Sequence, residues 1–294
     1  MKQTCPYCSP ETLLNSNLEH PILKAGSFYR SSDRKRVQRY KCKLCLSYFC
    51  SSALTSNYAQ KKRHINGQVF ALLAGGVSLR ESARILKVNR KTIARKLKTL
   101  GMVSKRKLKE FNSQQVKATA IQFDDLETFE HTKCKPVAIG LAVEEDSRRI
   151  LDFQICKQPA KGLLVKKSLK KYGKRTDERP KFRKKLFKNL KSLVIEQVQI
   201  KTDESTHYIK DIKKNFPKGI HFQYKGRRGC VVGQGELKAG GFDPLFSLNH
   251  TAAMARYKMS RLVRRTWCTT KKIESLRHHF AIMALQHNLR LSLE

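Results

Sequence analysis

A chain of 294 residues is long enough for a large core and for more than one domain. Its 62 Lys and Arg against 23 Asp and Glu give a formal net charge of +39, which points to a polyanionic partner, with nucleic acid ahead of an acidic membrane surface. No run of about eighteen apolar residues is present to span a bilayer, no amphipathic segment sets a basic face against a Trp/Phe face, and the start, MKQTCPYC, lacks the apolar stretch of a signal peptide.

The expected compartment is therefore the reducing cytoplasm, where nine cysteines, an odd number, suggest metal binding or plain burial and not disulfides. Four of them fall into two CxxC knuckles, Cys5-Pro-Tyr-Cys8 and Cys42-Lys-Leu-Cys45. The two-residue gap lets both sulfurs of a knuckle reach one ion, and two knuckles close a tetrahedral shell around Zn2+. Such a site has no open position for water, so its expected role is structural, in a zinc ribbon over residues 1–60. The end of its insert, FYRSSDRKRVQRYKCKLC, mixes apolar and basic residues like a strand leading into the second knuckle. Cys50 reads as a buried thiol and not as a fifth ligand.

Residues 61–101 have the layout of a helix-turn-helix. Lys62 to Ala74 places Ile65, Val69, Leu72 and Leu73 on one helical face, and Gly75-Gly76 ends it. Ser78 with Glu81 forms a capping box for a second helix, in which Ala83 is small where helices would cross. Val88 and Asn89 make the turn, and a third helix over Arg90–Leu100 buries Ile93 and Leu97 before Gly101 stops it. In this motif the N-terminal part of the last helix enters the major groove, which turns Asn89, Arg90, Lys91, Thr92, Arg95 and Lys98 towards double-stranded DNA. Residues 102–115, with four Lys/Arg and one Glu, read as a basic linker.

From residue 116 to 294 the pattern changes to strands followed by helices. Residues 118–124, 135–144 and 149–156 are expected as three consecutive antiparallel strands, the first ending in Asp124. Residues 157–191 carry fifteen Lys/Arg against two acids, with Phe182, Leu186, Phe187, Leu190 and Leu193 at helical spacing. A strand over Val198–Asp203 ends in a second acid. It is followed by a helix to Phe216, a strand over 219–224, an irregular Gly-rich stretch, a helix over Asn249–Arg265 and an amphipathic helix over Ile273–Leu291. That is the element order of an RNase H-like α/β fold, a mixed sheet with flanking helices. In such a fold the ends of the first and fourth strands are neighbours, so Asp124 and Asp203 could share Mg2+ or Mn2+ for phosphoryl transfer. Asp125 is a neighbour without an assigned role.

Taken together, the chain resembles a bacterial insertion-sequence transposase of the DDE type over nearly its whole length: zinc ribbon, helix-turn-helix, then catalytic domain. The resemblance implies Asp124 and Asp203 as the first two catalytic residues. The third position, usually a Glu followed seven residues on by Lys or Arg, matches Asn249 and Arg256 in LNHTAAMARYKMSRLVRRTW. Some groups of this architecture have Asn there, and its carbonyl can ligate magnesium without adding charge. Glu236 and Glu274 compete for the place. The resemblance further implies binding of the element's terminal inverted repeats and of target DNA, a homodimer or higher oligomer on DNA, and a nucleoid-associated location. Two other outcomes stay open: a DNA-binding regulator that has lost catalysis, and a nuclease or resolvase with a similar site.

Overall fold

The computed structural model describes residues 4–9, 21–55, 58, 60–225, 237–238, 241–262 and 269–293. The chain divides into two compact units, residues 1–68 and 69–294.

The first unit is a three-stranded antiparallel sheet in the order β1-β2-β3, with β1 at Ile22–Arg30, β2 at Lys35–Cys42 and β3 at Tyr48–Cys50. The basic stretch before the second knuckle is thus a hairpin and not one strand, because SSDR turns the chain. Asp33 accepts from Arg30 Nε at 2.6 Å and Nη2 at 2.5 Å, which fixes that turn. A bulge between Lys24 and Ser27 is met by Gly26 at φ +75°, a conformation that costs glycine nothing. The core consists of Cys5, Cys42 and Phe49, with Cys8, Ile22, Tyr40, Leu44 and Ala53 packed against it. So small an apolar cluster needs a staple to hold the module together.

The second unit begins within α1 (Asn66–Ala74). Ser78 caps α2 (Leu79–Ile85) by accepting from the Glu81 amide at 3.2 Å, and Asn89 caps α3 by accepting from the Lys91 amide at 2.8 Å. Helix α3 runs Arg90–Ser113, so it neither stops at Gly101 nor gives way to a linker over 102–115. Its mostly polar sequence has a buried seam of Ile93, Leu97, Leu108 and Asn112, and that seam packs along α8 (Ile273–Leu291), whose bounds match the sequence reading. Gly101 lies at a close approach of the two helices, where an added Cβ would collide with the His278 backbone and Cβ.

The second unit also holds a five-stranded sheet in the order β6-β5-β4-β7-β8. Strands β4 (Ala118–Phe129), β5 (Pro136–Glu144) and β6 (Ile150–Lys157) are antiparallel neighbours, while β7 (Val194–Asp203) runs parallel to β4 and β8 (Ile220–Tyr224) parallel to β7. The basic stretch forms two helices, α4 (Leu164–Tyr172) and α5 (Arg179–Leu190); α6 (Thr206–Asn215) follows β7. Two short paired strands, β9 (Leu237–Lys238) and β10 (Gly241–Phe242), precede α7 (Phe246–Lys258), which starts earlier and ends earlier than expected.

Both sheet faces are covered, so β5 is buried almost throughout. One face packs Leu126, Ile139, Phe153 and their neighbours against α7 and α8. The other packs Ile121, Phe123 and Ile200 against Leu186, Phe187 and Leu190 of α5 and Tyr208 and Ile212 of α6. The free edge of β6 is blocked by side chains. Asn112, Lys105 and Arg277 donate to the carbonyls of Leu151, Phe153 and Ile155, and Asn288 pairs with both the N–H and C=O of Ile150. Such an edge is not open to another strand. No helix among the described residues is long and apolar enough to cross a membrane.

Candidate active site and cysteine cluster

The two knuckles meet as the CxxC spacing requires. Cys5 and Cys45 sulfurs are 3.5 Å apart, Cys8 and Cys42 sulfurs 3.8 Å, and all four lie within 4.8 Å of one another. Four thiolates about 2.3 Å from a tetrahedral zinc stand about 3.8 Å from each other, so the donor set fits one structural zinc. The Tyr7 amide donates to Cys5 Sγ at 3.4 Å. Hydrogen bonds from the Ser47 side chain and backbone pull the Cys45 thiol down to about 6, while desolvation and the crowding sulfurs push Cys8 up to about 12. Cys50 is half-buried and lies 2.9 Å from Ser52 Oγ, outside the cluster. Among the described residues this is the one His/Cys/Asp/Glu group of three or more that could share an ion.

Asp124 does not end its strand, because β4 continues to Phe129 by pairing with β5. It sits instead two residues past the last β4/β7 pair. The β4/β7 pairing runs as far as Gln122 opposite Lys201; Asp124 and Asp203 each follow two residues further along their strands, and the Asp203 charge acts on Asp124. Asp203 does end β7, and its Oδ1 accepts from the Ser205 amide at 3.2 Å as the chain turns into α6. Alternation along β4 separates the acid pair. Gln122 shares a face with Asp124 and binds α7, accepting from the Leu248 amide at 2.9 Å and donating to the Pro244 carbonyl at 3.1 Å. Asp125 shares its face with Phe123 and lies against Gly140, where a Cβ would stand 3.2 Å from its Oδ1.

The two acids have different electrostatics. Burial raises the Asp124 pKa to about 6, with the Asp203 charge as the next cause. The Asp125 amide (2.6 Å) and the Tyr208 hydroxyl (3.3 Å) both donate to Asp124 Oδ1 and work against that rise. Asp125 is also raised by burial, but Arg183 and Arg179 of α5 offset it, so it belongs to a structural network beneath the sheet. Tyr208 is itself buried, set edge-on to Phe123 with ring centroids 5.1 Å apart and with the Arg183 guanidinium 5.3 Å from its ring. Sequence inspection did not single it out, although its place two residues past the start of α6, straight after the Asp203 strand, is a signal.

Asn249 lies on α7 and is exposed, next to the Leu248 amide that anchors that helix to β4. Its Nδ2 donates to Asp243 Oδ2 at 2.8 Å, while Asp243 Oδ1 accepts from the Leu245 amide at 3.1 Å. The buried Asp243 thus holds the carboxamide with its nitrogen engaged and leaves Oδ1 as the ligating atom on offer. Arg256 sits seven residues on along the same helix and is half-buried. Glu236 lies outside the described residues. Glu274 opens α8, exposed and 3.6 Å from Arg277, where it complements a helix N-terminus.

Of the groove-facing candidates, Asn89, Arg90, Lys91, Arg95 and Lys98 are exposed and Thr92 is half-buried. Asn89 spends its side-chain oxygen on the α3 cap. The buried Ile93 and Leu97 hold the opposite side of the helix to its neighbours. No protein-family model matches the chain, and no curated protein matches it.

Proposed function

We propose that this chain is a DNA transposase with an RNase H-like catalytic domain, in which Asp124, Asp203 and Asn249 hold the metal ions of strand cleavage and strand transfer. One observation carries the most weight: Asp124 and Asp203 each lie two residues past the last β4/β7 pair, and the Asp124 carboxyl is raised to about 6 by burial and then by the Asp203 charge. Structural carboxylates in a chain of +39 have cations to pair with; a carboxyl raised by burial and by a second acid's charge is suited to a divalent ion. The sheet order, with three antiparallel strands and two more parallel to the first, is that of the RNase H-like family.

Magnesium or manganese bound there would activate the attacking oxygen and stabilise the leaving one. The chain's own groups orient the ligands: the Asp125 amide and Tyr208 hydroxyl fix Asp124, the Ser205 amide fixes Asp203, and Asp243 fixes Asn249. Water attacks the strand at the element end, and the freed 3′-hydroxyl attacks target DNA, with no covalent link to protein. The exposed basic residues of α3 and the zinc-stapled unit bind the terminal repeats, and two ends call for a dimer or larger assembly. Arg256 contacts DNA or steadies α7.

A second reading, a DNA-binding regulator without catalysis, is favoured by the neutral side chain at Asn249. Joining of a precut DNA end to a target, with Mg2+ or Mn2+, separates the two. Wild type is expected to join ends and Asp124→Asn to lose at least a hundredfold, about 3 kcal/mol of barrier. DNA binding without joining by wild type would favour the regulator, and full activity in Asp203→Asn would overturn the site.

A further inference from the structure

The sheet of the first unit has a second face that the cysteine cluster does not use. Cross-strand pairs put Phe28 opposite Val37, Arg39 opposite Cys50 and Lys41 opposite Tyr48. These side chains share one face, while Tyr40, Cys42 and Phe49 point to the cysteines. Tyr7, Phe28, Tyr48, Tyr58 and Arg39 line one hollow of about 200 Å³, whose remaining wall is Cys50 with Phe49 and Ala53 from the cysteine-side core. Tyr7, Tyr48 and Tyr58 are 59 %, 56 % and 55 % exposed. Three half-exposed tyrosines around one concavity offer flat apolar ring faces on which a planar group can stack.

The charge around the rings says what that is. Residues 1–68 hold twelve Lys and Arg against three Asp and Glu, and the one described acid, Asp33, is taken by Arg30. The Arg39 guanidinium stands 5.6 Å from the Phe28 ring centroid, and the Lys41 ammonium 5.5 Å from that of Tyr48. Aromatic faces interleaved with cations suit an alternation of bases and phosphates. In a duplex the base faces are stacked away from such a hollow; in a single strand they are free to enter it. We propose that this hollow takes an unpaired base of single-stranded DNA, with Arg39 and Lys41 on the flanking phosphates. The inference rests on DNA being the partner of the chain and adds a strand state and a place.

The test uses the full-length protein and fluorescence anisotropy with a labelled oligothymidine of about 15 nucleotides and a hairpin duplex of equal length. Tyr48→Ala is expected to weaken oligothymidine binding about tenfold and duplex binding by less than about twofold, since base stacking contributes one to two such factors per base. Tyr48→Phe keeps the ring and is expected to bind like wild type. Tyr7→Ala gives a second variant on the opposite rim, and the zinc content of each variant reports whether the cysteine cluster still forms. Equal losses on both DNAs, no loss on either, or a preference for oligouridine over oligothymidine would overturn the proposal. If wild type joins no DNA ends yet shows this Tyr48 dependence, the transposase reading fails and the hollow keeps its assignment.

Discussion

Asp124 carries the heaviest electrostatic load among the site residues, and its load has a sign. An unfolded aspartate titrates near 3.9, whereas burial and Asp203 hold the folded carboxyl at about 6. A raised folded value means that the group's favourable contribution is complete below about pH 4 and is lost as pH rises through about 6. Above that, the metal-free fold must keep the Asp124 charge in a site where burial and the Asp203 charge oppose it. Asp124→Asn removes the charge and keeps the shape. In excess chelator at pH 7.5 the variant is expected to be more stable than wild type by about 2 kcal/mol, with the gap closing below pH 4; urea midpoints measure it. Adding Mn2+ should reverse the order at neutral pH, because only wild type keeps both carboxylates. A variant less stable than wild type in chelator would show that Asp124 is not strained. Asp124 and Asp203 were legible in the sequence as acids on strands within a basic chain. Asp243 and Tyr208 were not, because each acts by orienting a partner that lies far off in sequence. The Asp-Pro pair ahead of α7, with Asp243 closing a turn onto the Leu245 amide, was a local sign for the first, and the place of Tyr208 just after the Asp203 strand one for the second.

Among the elements, order was readable and ends were not. The strands and helices of the second unit follow the hydrophobic periodicity almost throughout, and α8 matches residue for residue. The misses share a cause: an element's end is set by its partner. β4 outlasts Asp124 because β5 continues to pair with it through Phe129. α3 outlasts Gly101 because α8 lies along it. Sequence alone cannot tell a glycine that stops a helix from one that lets a second helix close in, since both put the smallest residue in an amphipathic run. The two meanings predict opposite outcomes for Gly101→Ala. If Gly101 were a stop in a solvated linker, alanine would be neutral or would favour the helix by up to about 1 kcal/mol. With His278 against it, alanine must push two helices apart and is expected to cost about 1–3 kcal/mol. Chemical denaturation decides, and a neutral or stabilising result would remove the close approach. Serine is expected to cost at least as much.

Over the whole molecule, the two units are held together by different means, and that difference is testable without mutation. Residues 69–294 bury an extensive core on both faces of a five-stranded sheet. The first unit has Cys5, Cys42, Phe49 and a few half-buried neighbours, too little apolar surface to offset the entropy of ordering a module of that size. Its four sulfurs are the remaining source of stability, and structural zinc supplies on the order of 10 kcal/mol to such modules. Its basic surface, including the exposed Arg34, Lys35, Arg36 and Arg39, adds self-repulsion. A strong zinc chelator is therefore expected to unfold residues 1–68 while the second unit keeps its fold. Limited proteolysis should then release a stable product beginning near residue 69, and hydrogen exchange should rise across β1–β3 while β4–β8 stay protected. Restoring zinc should restore protection. Protection of β1–β3 that survives full zinc removal would show that the cysteines are bystanders, and simultaneous loss in both units would show that the two fold as one.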